Sequence, residues 1–297
     1  MAIAVQTNTQ WAGLSYISLS EYKNAPTAID YNNLVVGGTQ AQQDSELSSV
    51  IARASSWIDV HCNQTLVART ITETKRTRIS PMGNLVIHPD QSPLLAVTAL
   101  SYGVSPLNLT AVADPSVMWL EPTQFIYSAA QVALSSSSVG PLSFGLPATT
   151  RSQIYCSYSY VGGYVNIGVT GTAGVSSCVV ADNMGILANS SLAIYDGSST
   201  ELVTVASNYV YNSSFTIPLQ APLQNTHLAG AATLSGLPAA IKQACILVTT
   251  DFLKVRGDNS LTMGATTRAS AGPGVQGSIN SDLSLAQILL RPFRRVF

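Results

Sequence analysis

The sequence predicts an α+β fold: a small helical body, of two main helices plus short terminal helices, with an antiparallel β elaboration and an inserted all-β module. Three observations lead there. Residues 44–62 carry Leu47, Val50, Ile51, Ala54, Trp57, Ile58 and His61 at intervals of three and four, which puts one apolar face on a helix. A second helical period follows Pro238, with Ile241, Ala244, Cys245, Val248, Phe252 and Val255 on its apolar face. Between the two lie about 175 residues of strand and turn signals.

Each element has its own local reason. Residues 1–17 hold Trp11 among polar spacers and are expected to form an arm that a partner orders. Ser18–Lys23 predicts a short helix, stopped before Pro26. A loop over 25–43 leads to Asp44, a good N-cap, and Ser45 and Glu46 suit the positive end of the helix dipole. Leu66–Ile79 and Leu85–His88 read as the arms of a hairpin turned at Pro81-Met82-Gly83-Asn84. Leu94–Tyr102 is another strand, followed by irregular chain with Trp119, Phe125 and Tyr127. Gln153–Tyr160 alternates, with Ile154, Cys156, Tyr158 and Tyr160 on one face, and ends at Gly162-Gly163.

The text then changes to short strands separated by turns: Ser177–Ala181, Ser191–Tyr195, Leu202–Ala206, Phe215–Ile217 and Ala231–Leu234. Asp196-Gly197 marks a hairpin within this stretch. The predicted organisation is therefore a first region over 1–165, the β module over 166–235, a second body helix in 236–257 and an arm over 258–297. In that arm a linker, Asp258–Ser281, is expected to be extended and mobile. A short helix over Asp282–Leu290, with Leu285, Ile288 and Leu289, is ended by Pro292.

Charged residues make up 10% of the chain and hydrophobic residues 46%, at a net charge of −1. Ser, Thr, Asn, Gln and Gly thus occupy surface that charges usually fill. Interfaces are depleted in Lys, Glu and Asp, so this composition predicts a protein covered by neighbours. No stretch approaches the ~20 apolar residues that span a bilayer, and the start has no signal-peptide pattern. No membrane association is expected, and synthesis in the cytosol is. Arg69, Lys75, Arg76 and Arg78 cluster in one strand and Arg291, Arg294 and Arg295 at the end, whereas no Lys or Arg lies between Arg151 and Lys242.

No chemistry-bearing constellation emerges. His61 adjoins Cys62, but neighbours on a helix point about 100° apart and cannot face each other. His88 and His227 read as solvated turn histidines, and Asp196 and Glu201 as an exposed hairpin tip rather than a glycosidase carboxylate pair. The four cysteines, Cys62, Cys156, Cys178 and Cys245, lack zinc spacing, and no glycine run forms a phosphate loop. The expectation is a protein without catalytic residues, metal or cofactor.

Tyr16-Ile17-Ser18-Leu19-Ser20-Glu21-Tyr22-Lys23, the helix ending Ala54-Ser55-Ser56-Trp57-Ile58-Asp59-Val60-His61-Cys62, and Thr72-Glu73-Thr74-Lys75-Arg76 together resemble the head-to-tail connector (adaptor) proteins of long-tailed bacteriophages. Ala239–Gly257 and the ending Leu290-Arg291-Pro292-Phe293-Arg294-Arg295 are similar to the C-terminal part of that family. The β module at 166–235 departs from its simple members. The resemblance implies a structural virion protein at the head–tail neck, forming a ring of about twelve copies. Such a ring docks on the portal protein, extends the channel through which packaged DNA passes, and offers a platform to the next neck or tail-completion protein. It implies a portal-docking arm of Leu285, Ile288, Leu289, Arg291, Phe293, Arg294, Arg295 and Phe297. Arg69, Lys75, Arg76 and Arg78 then form a surface facing the channel or a partner. The alternative reading is a β-rich receptor- or carbohydrate-binding virion module, which exposed aromatic side chains on the β module would favour.

Overall fold

The structure, a computed structural model, describes residues 15–27, 29–32, 34–78, 84–114, 118–127, 153–211, 213–257 and 276–295. Of the expected arm over 1–17, residues 1–14 lie outside the described residues, and Tyr16 and Ile17 are buried rather than part of an arm, because their side chains pack into the body. The turn at 81–83, residues 258–275 of the expected linker over 258–281, and Phe297 also lie outside them, while 276–281 are helical rather than extended. The fold corrects the predicted class. Among the described residues thirteen strands form three sheets, of four, six and three strands, beside four α-helices, so the protein is mostly β rather than a helical body with a β elaboration. The reason lies in the strands. Their alternating side chains bury apolar faces against other strands, so the β region builds cores of its own.

The chain divides into two compact units. One comprises 1–67, 165–183 and 188–297. Its helix α1 (Leu19–Asn24) opens with a capping box: Ser18 Oγ accepts from the Glu21 amide and the Glu21 carboxylate accepts from the Ser18 amide. Helix α2 (Gln40–Cys62) starts earlier than the expected cap at Asp44. Thr39 and Gln42 form a second capping box, and the good helix formers Gln40–Gln43 fill the first turn. Asp44 instead pairs with Lys23 at 2.6 Å. The helix ends at Asn63, whose left-handed backbone (φ 54°) closes the last turn.

Helix α3 (Ala239–Gly257) follows Pro238, whose carbonyl accepts from the Ile241 amide. Helix α4 (Gln276–Leu290) begins more than a turn before the expected Asp282. The six-stranded sheet of this unit consists of β8 (Asn166–Thr170), β9 (Ser177–Val180), β10 (Ser191–Tyr195), β11 (Glu201–Thr204), β12 (Thr216–Pro218) and β13 (Thr233–Ser235). Its order is β11-β10-β13-β8-β9-β12. The two outer strands meet just beyond their ends. Val205 bridges Leu219, the Ala206 amide donates to Pro218 and the Gln220 amide to Thr204. The sheet thus closes on itself into a small barrel, which removes the exposed edges of an open sheet. Leu192, Ile194, Val203, Ile217 and Leu234 fill its inside.

The other unit comprises 68–164 with 184–187. Strand β1 (Arg69–Arg78) pairs along its length with β7 (Gln153–Gly162), from Arg69↔Gly162 to Arg78↔Gln153. Strands β3 (Leu94–Ser105) and β4 (Asn108–Ala111) complete the order β1-β7-β3-β4. The predicted hairpin between β1 and β2 (Leu85–Ile87) does not form a ladder. Strand β2 pairs with β6 (Gln124–Tyr127), which pairs in turn with β5 (Trp119–Glu121). Two long strands in full register offer β1 many more cross-strand pairs than the short β2 can. The core of the unit draws on both sheets, with Leu85, Ile87, Leu100, Phe125, Ile154, Tyr158 and Tyr160 buried in one cluster.

Candidate functional site

Two of the segments that carry the connector resemblance, 16–23 and 54–62, meet in the helical unit, whereas 72–76 lie on β1 in the other unit. The Tyr16 amide donates to Ser55 Oγ at 3.0 Å, its phenol donates to the Asp59 carboxylate, and the same oxygen accepts from the Leu66 amide at 2.9 Å. Burial, then Asp59, pushes that phenol well above its ordinary range. Lys242 Nζ donates to Glu21 at 2.6 Å and to the Tyr16 carbonyl at 3.3 Å, and lies 4.0 Å from the centre of the Tyr195 ring. Burial lowers the Lys242 pKa, with Glu21 working against it. Tyr22 meets Thr250 of α3 at 3.1 Å. Short i-to-i+4 spacing explains why Ser55, Asp59 and Cys62 share one side of α2.

The predicted helix-pair core is placed residue by residue. Leu47, Val50, Ile51, Ala54 and Ile58 of α2 are buried, as are Ile241, Ala244, Cys245 and Val248 of α3. Ser55 Oγ lies 3.6 Å from the Cys245 sulfur. Trp57 is only half-buried and stacks on His61, with ring centres 5.1 Å apart. Phe252 is half-buried as well, and Leu253 beside it is buried.

The C-terminal arm lies on its own unit. Ala286 and Leu290 are buried, whereas Leu285 is 47% and Ile288 67% exposed, and Leu289 is intermediate. Lys254 pairs with Asp282 between α3 and α4. Beyond α4, Gln64 donates to the Phe293 carbonyl, Asn63 to that of Arg295, and the Arg295 amide to Cys62. Arg291 and Arg294 are exposed. Burial, then Arg294, lowers the pKa of His61.

The pleat of β1 divides the basic cluster. Arg69 and Lys75 lie on the partly buried face and Arg76 on the exposed one, with Thr70, Thr72 and Thr74. Arg69 donates to Gln91, and Lys75 pairs with Asp90 and Glu73. Arg76 stacks over Tyr155 at 4.8 Å. Arg78, paired with Gln153, ends the strand. Glu73 also accepts from the buried phenols of Tyr158 and Tyr160.

One cluster was missed. His227 is 2% exposed, not solvated, and its Nδ1 and Nε2 lie 3.0 Å from Asp196 and 2.7 Å from Glu201. Glu201, read as part of an exposed hairpin tip, is buried and accepts from the Gln224 and Asn225 amides. The only sequence signal was two carboxylates at a hairpin and one histidine in the same module. Burial pushes the thiols of Cys62, Cys156 and Cys245 up to about 12 and that of Cys178 to about 11, which disfavours their nucleophilic thiolate form. Among the described residues no three His, Cys, Asp or Glu side chains are arranged to hold a metal ion. Among them, too, no helix is long and apolar enough to cross a membrane.

No protein-family model matches the chain, and no curated protein matches its sequence. Two solved structures of gene transfer agent particles are similar to it over 96% of this chain and 95% of theirs, each at 14% identity. One is the neck of an empty particle computed with C6 symmetry, at a TM-score of 0.36, and the other the virion of a native particle, at 0.35.

Proposed function

We propose that this chain is a non-enzymatic structural subunit of a phage neck. Copies of it form a ring, of about twelve subunits, that docks on the portal and extends the DNA channel. The ring presents a platform to the next neck or tail-completion protein. One observation carries this reading: Tyr16 binds Ser55 and Asp59 of α2 and is linked through Lys242 to Glu21, so two segments of the connector-like pattern that are distant in sequence are tied together by hydrogen bonds. Contacts between these segments in the folded unit support reading them as one pattern. The 10% charged composition supports a subunit covered by neighbours.

The portal-docking surface is assigned to the outward side of α4 and the segment after it. Leu285 and Ile288 supply exposed apolar contacts, and Arg291 and Arg294 flank them with positive charge. DNA passes through such a ring without sequence-specific contacts. Negative-stain microscopy of the purified protein, alone and mixed with a portal ring, tests the proposal. Rings that stack coaxially on the portal are expected. A protein that stays monomeric in both samples would sink it.

A further inference from the structure

Segment 223–228 is tied to the barrel on two sides. On one, the His227 and Gly171 backbones exchange hydrogen bonds of 2.8 and 3.1 Å, and Leu223 does the same with Gly174 and Val175. Leu223 lies so close over Gly171 that a Cβ there would sit 2.3 Å from its Cδ1. On the other, the ties run to the β10–β11 hairpin and are ionic. The His227 ring, with no exposed side-chain surface, stands between Asp196 and Glu201, and Glu201 also holds the Gln224 and Asn225 amides.

An ionised carboxylate only accepts hydrogen bonds, so the ring satisfies both neighbours only when both its nitrogens carry protons. Once one proton leaves, a bare nitrogen faces an acceptor at hydrogen-bond distance in a buried site. Two carboxylates then flank a neutral ring. Both changes oppose the closed arrangement. The charged groups facing the ring are Asp196, at the end of β10, and Glu201, at the start of β11. The end of β8 brings the Gly171 backbone to His227, and Asp182, the remaining acid of this region, is exposed.

We propose that Asp196, His227 and Glu201 form a proton-dependent latch that holds segment 223–228 on the β10–β11 hairpin. It is closed while both ring nitrogens are protonated and released when one proton is lost. Release frees the Gln224 and Asn225 amides, while the backbone ties of Leu223 and His227 to 171–175 remain.

Amide hydrogen exchange of the full chain, read by mass spectrometry on peptides covering 223–228 and corrected for intrinsic rates, tests this from about pH 5 upward. Protection should fall by about tenfold or more as pH rises, the size that one charge-assisted hydrogen bond supports. Peptides from α2 should not change. In Asp196→Asn the amide can turn to accept from a protonated ring nitrogen or donate to a bare one, so protection should stay high throughout. A permanent brace would give pH-independent protection in the wild type, which overturns the proposal. So does an Asp196→Asn protein that opens with pH as the wild type does.

Discussion

Tyr16 joins three parts of the chain through one side chain and one amide, and its phenol sits where water does not compete. Tyr16→Phe keeps the ring but removes the donor to Asp59 and the acceptor for the Leu66 amide. Leaving buried partners short of a hydrogen bond should cost about 1–3 kcal/mol in denaturant unfolding. An unchanged midpoint would show that the network carries no stability. On α2, Ile58 is buried and Trp57 half-buried, so Ile58→Ala should cost about 2–5 kcal/mol and Trp57→Ala less. The reverse order would contradict the packing described. Glu201 makes a prediction about acid. Burial raises its pKa, but the Gln224 amide, the His227 ring and the Asn225 amide outweigh it, and the net direction is down. A carboxyl depressed by folding stabilises above its unfolded pKa, and that stability goes as pH falls through the depressed folded value. Glu201→Gln should therefore flatten the acid limb of a stability-against-pH curve.

At the scale of elements, α4 has two sides with different tasks. Its inward residues Ala286 and Leu290 are buried, and its outward Leu285 and Ile288 are not. Leu290→Ala should lower stability by about 2–5 kcal/mol. The double change of Leu285 and Ile288 to Ser should shift subunit stability by no more than about 0.5 kcal/mol, as surface substitutions do. If the outward side docks on the portal, that double variant should fold normally and fail to join portal rings in a co-sedimentation assay. Normal joining would remove α4 from the docking surface. Strand β1 shows how an element re-sorts a motif. Four basic residues close in sequence do not form one patch, because the pleat puts Arg69 and Lys75 on one face and Arg76 on the other.

For the whole molecule, the division into two units changes what can be removed. The barrel shares its unit with the helices. Asn166 donates to the Ser15 carbonyl, Ser20 to that of Ala231, and the Tyr195 ring lies under Lys242. Replacing 166–235 by a Gly/Ser linker should therefore abolish cooperative melting of the helices, even though closing the shorter loop is cheap. Residues 68–164 have a core of their own and, expressed alone, should still melt cooperatively in calorimetry. A fragment that is unfolded would show that its core needs the rest of the chain.

The outcome separates local from distant information. The two long helices, the alternation of Gln153–Tyr160, the short strands of 166–235 and the turn at Asp196-Gly197 were legible in the sequence, because each depends on the spacing of apolar residues or on turn chemistry within a few positions. The caps were legible only in part: Thr39-x-x-Gln42 outcompeted Asp44 because both members of its box find partners. The fold class was not legible, since strand pairing joins residues far apart and depends on which full register buries most. Sequence alone determined that the chain has amphipathic helices, short alternating strands and little charge. Tertiary structure decided that β1 pairs with β7, that the six-stranded sheet closes on itself, and that His227 is buried between Asp196 and Glu201. Those outcomes rest on contacts between distant segments, whose geometry no local pattern contains.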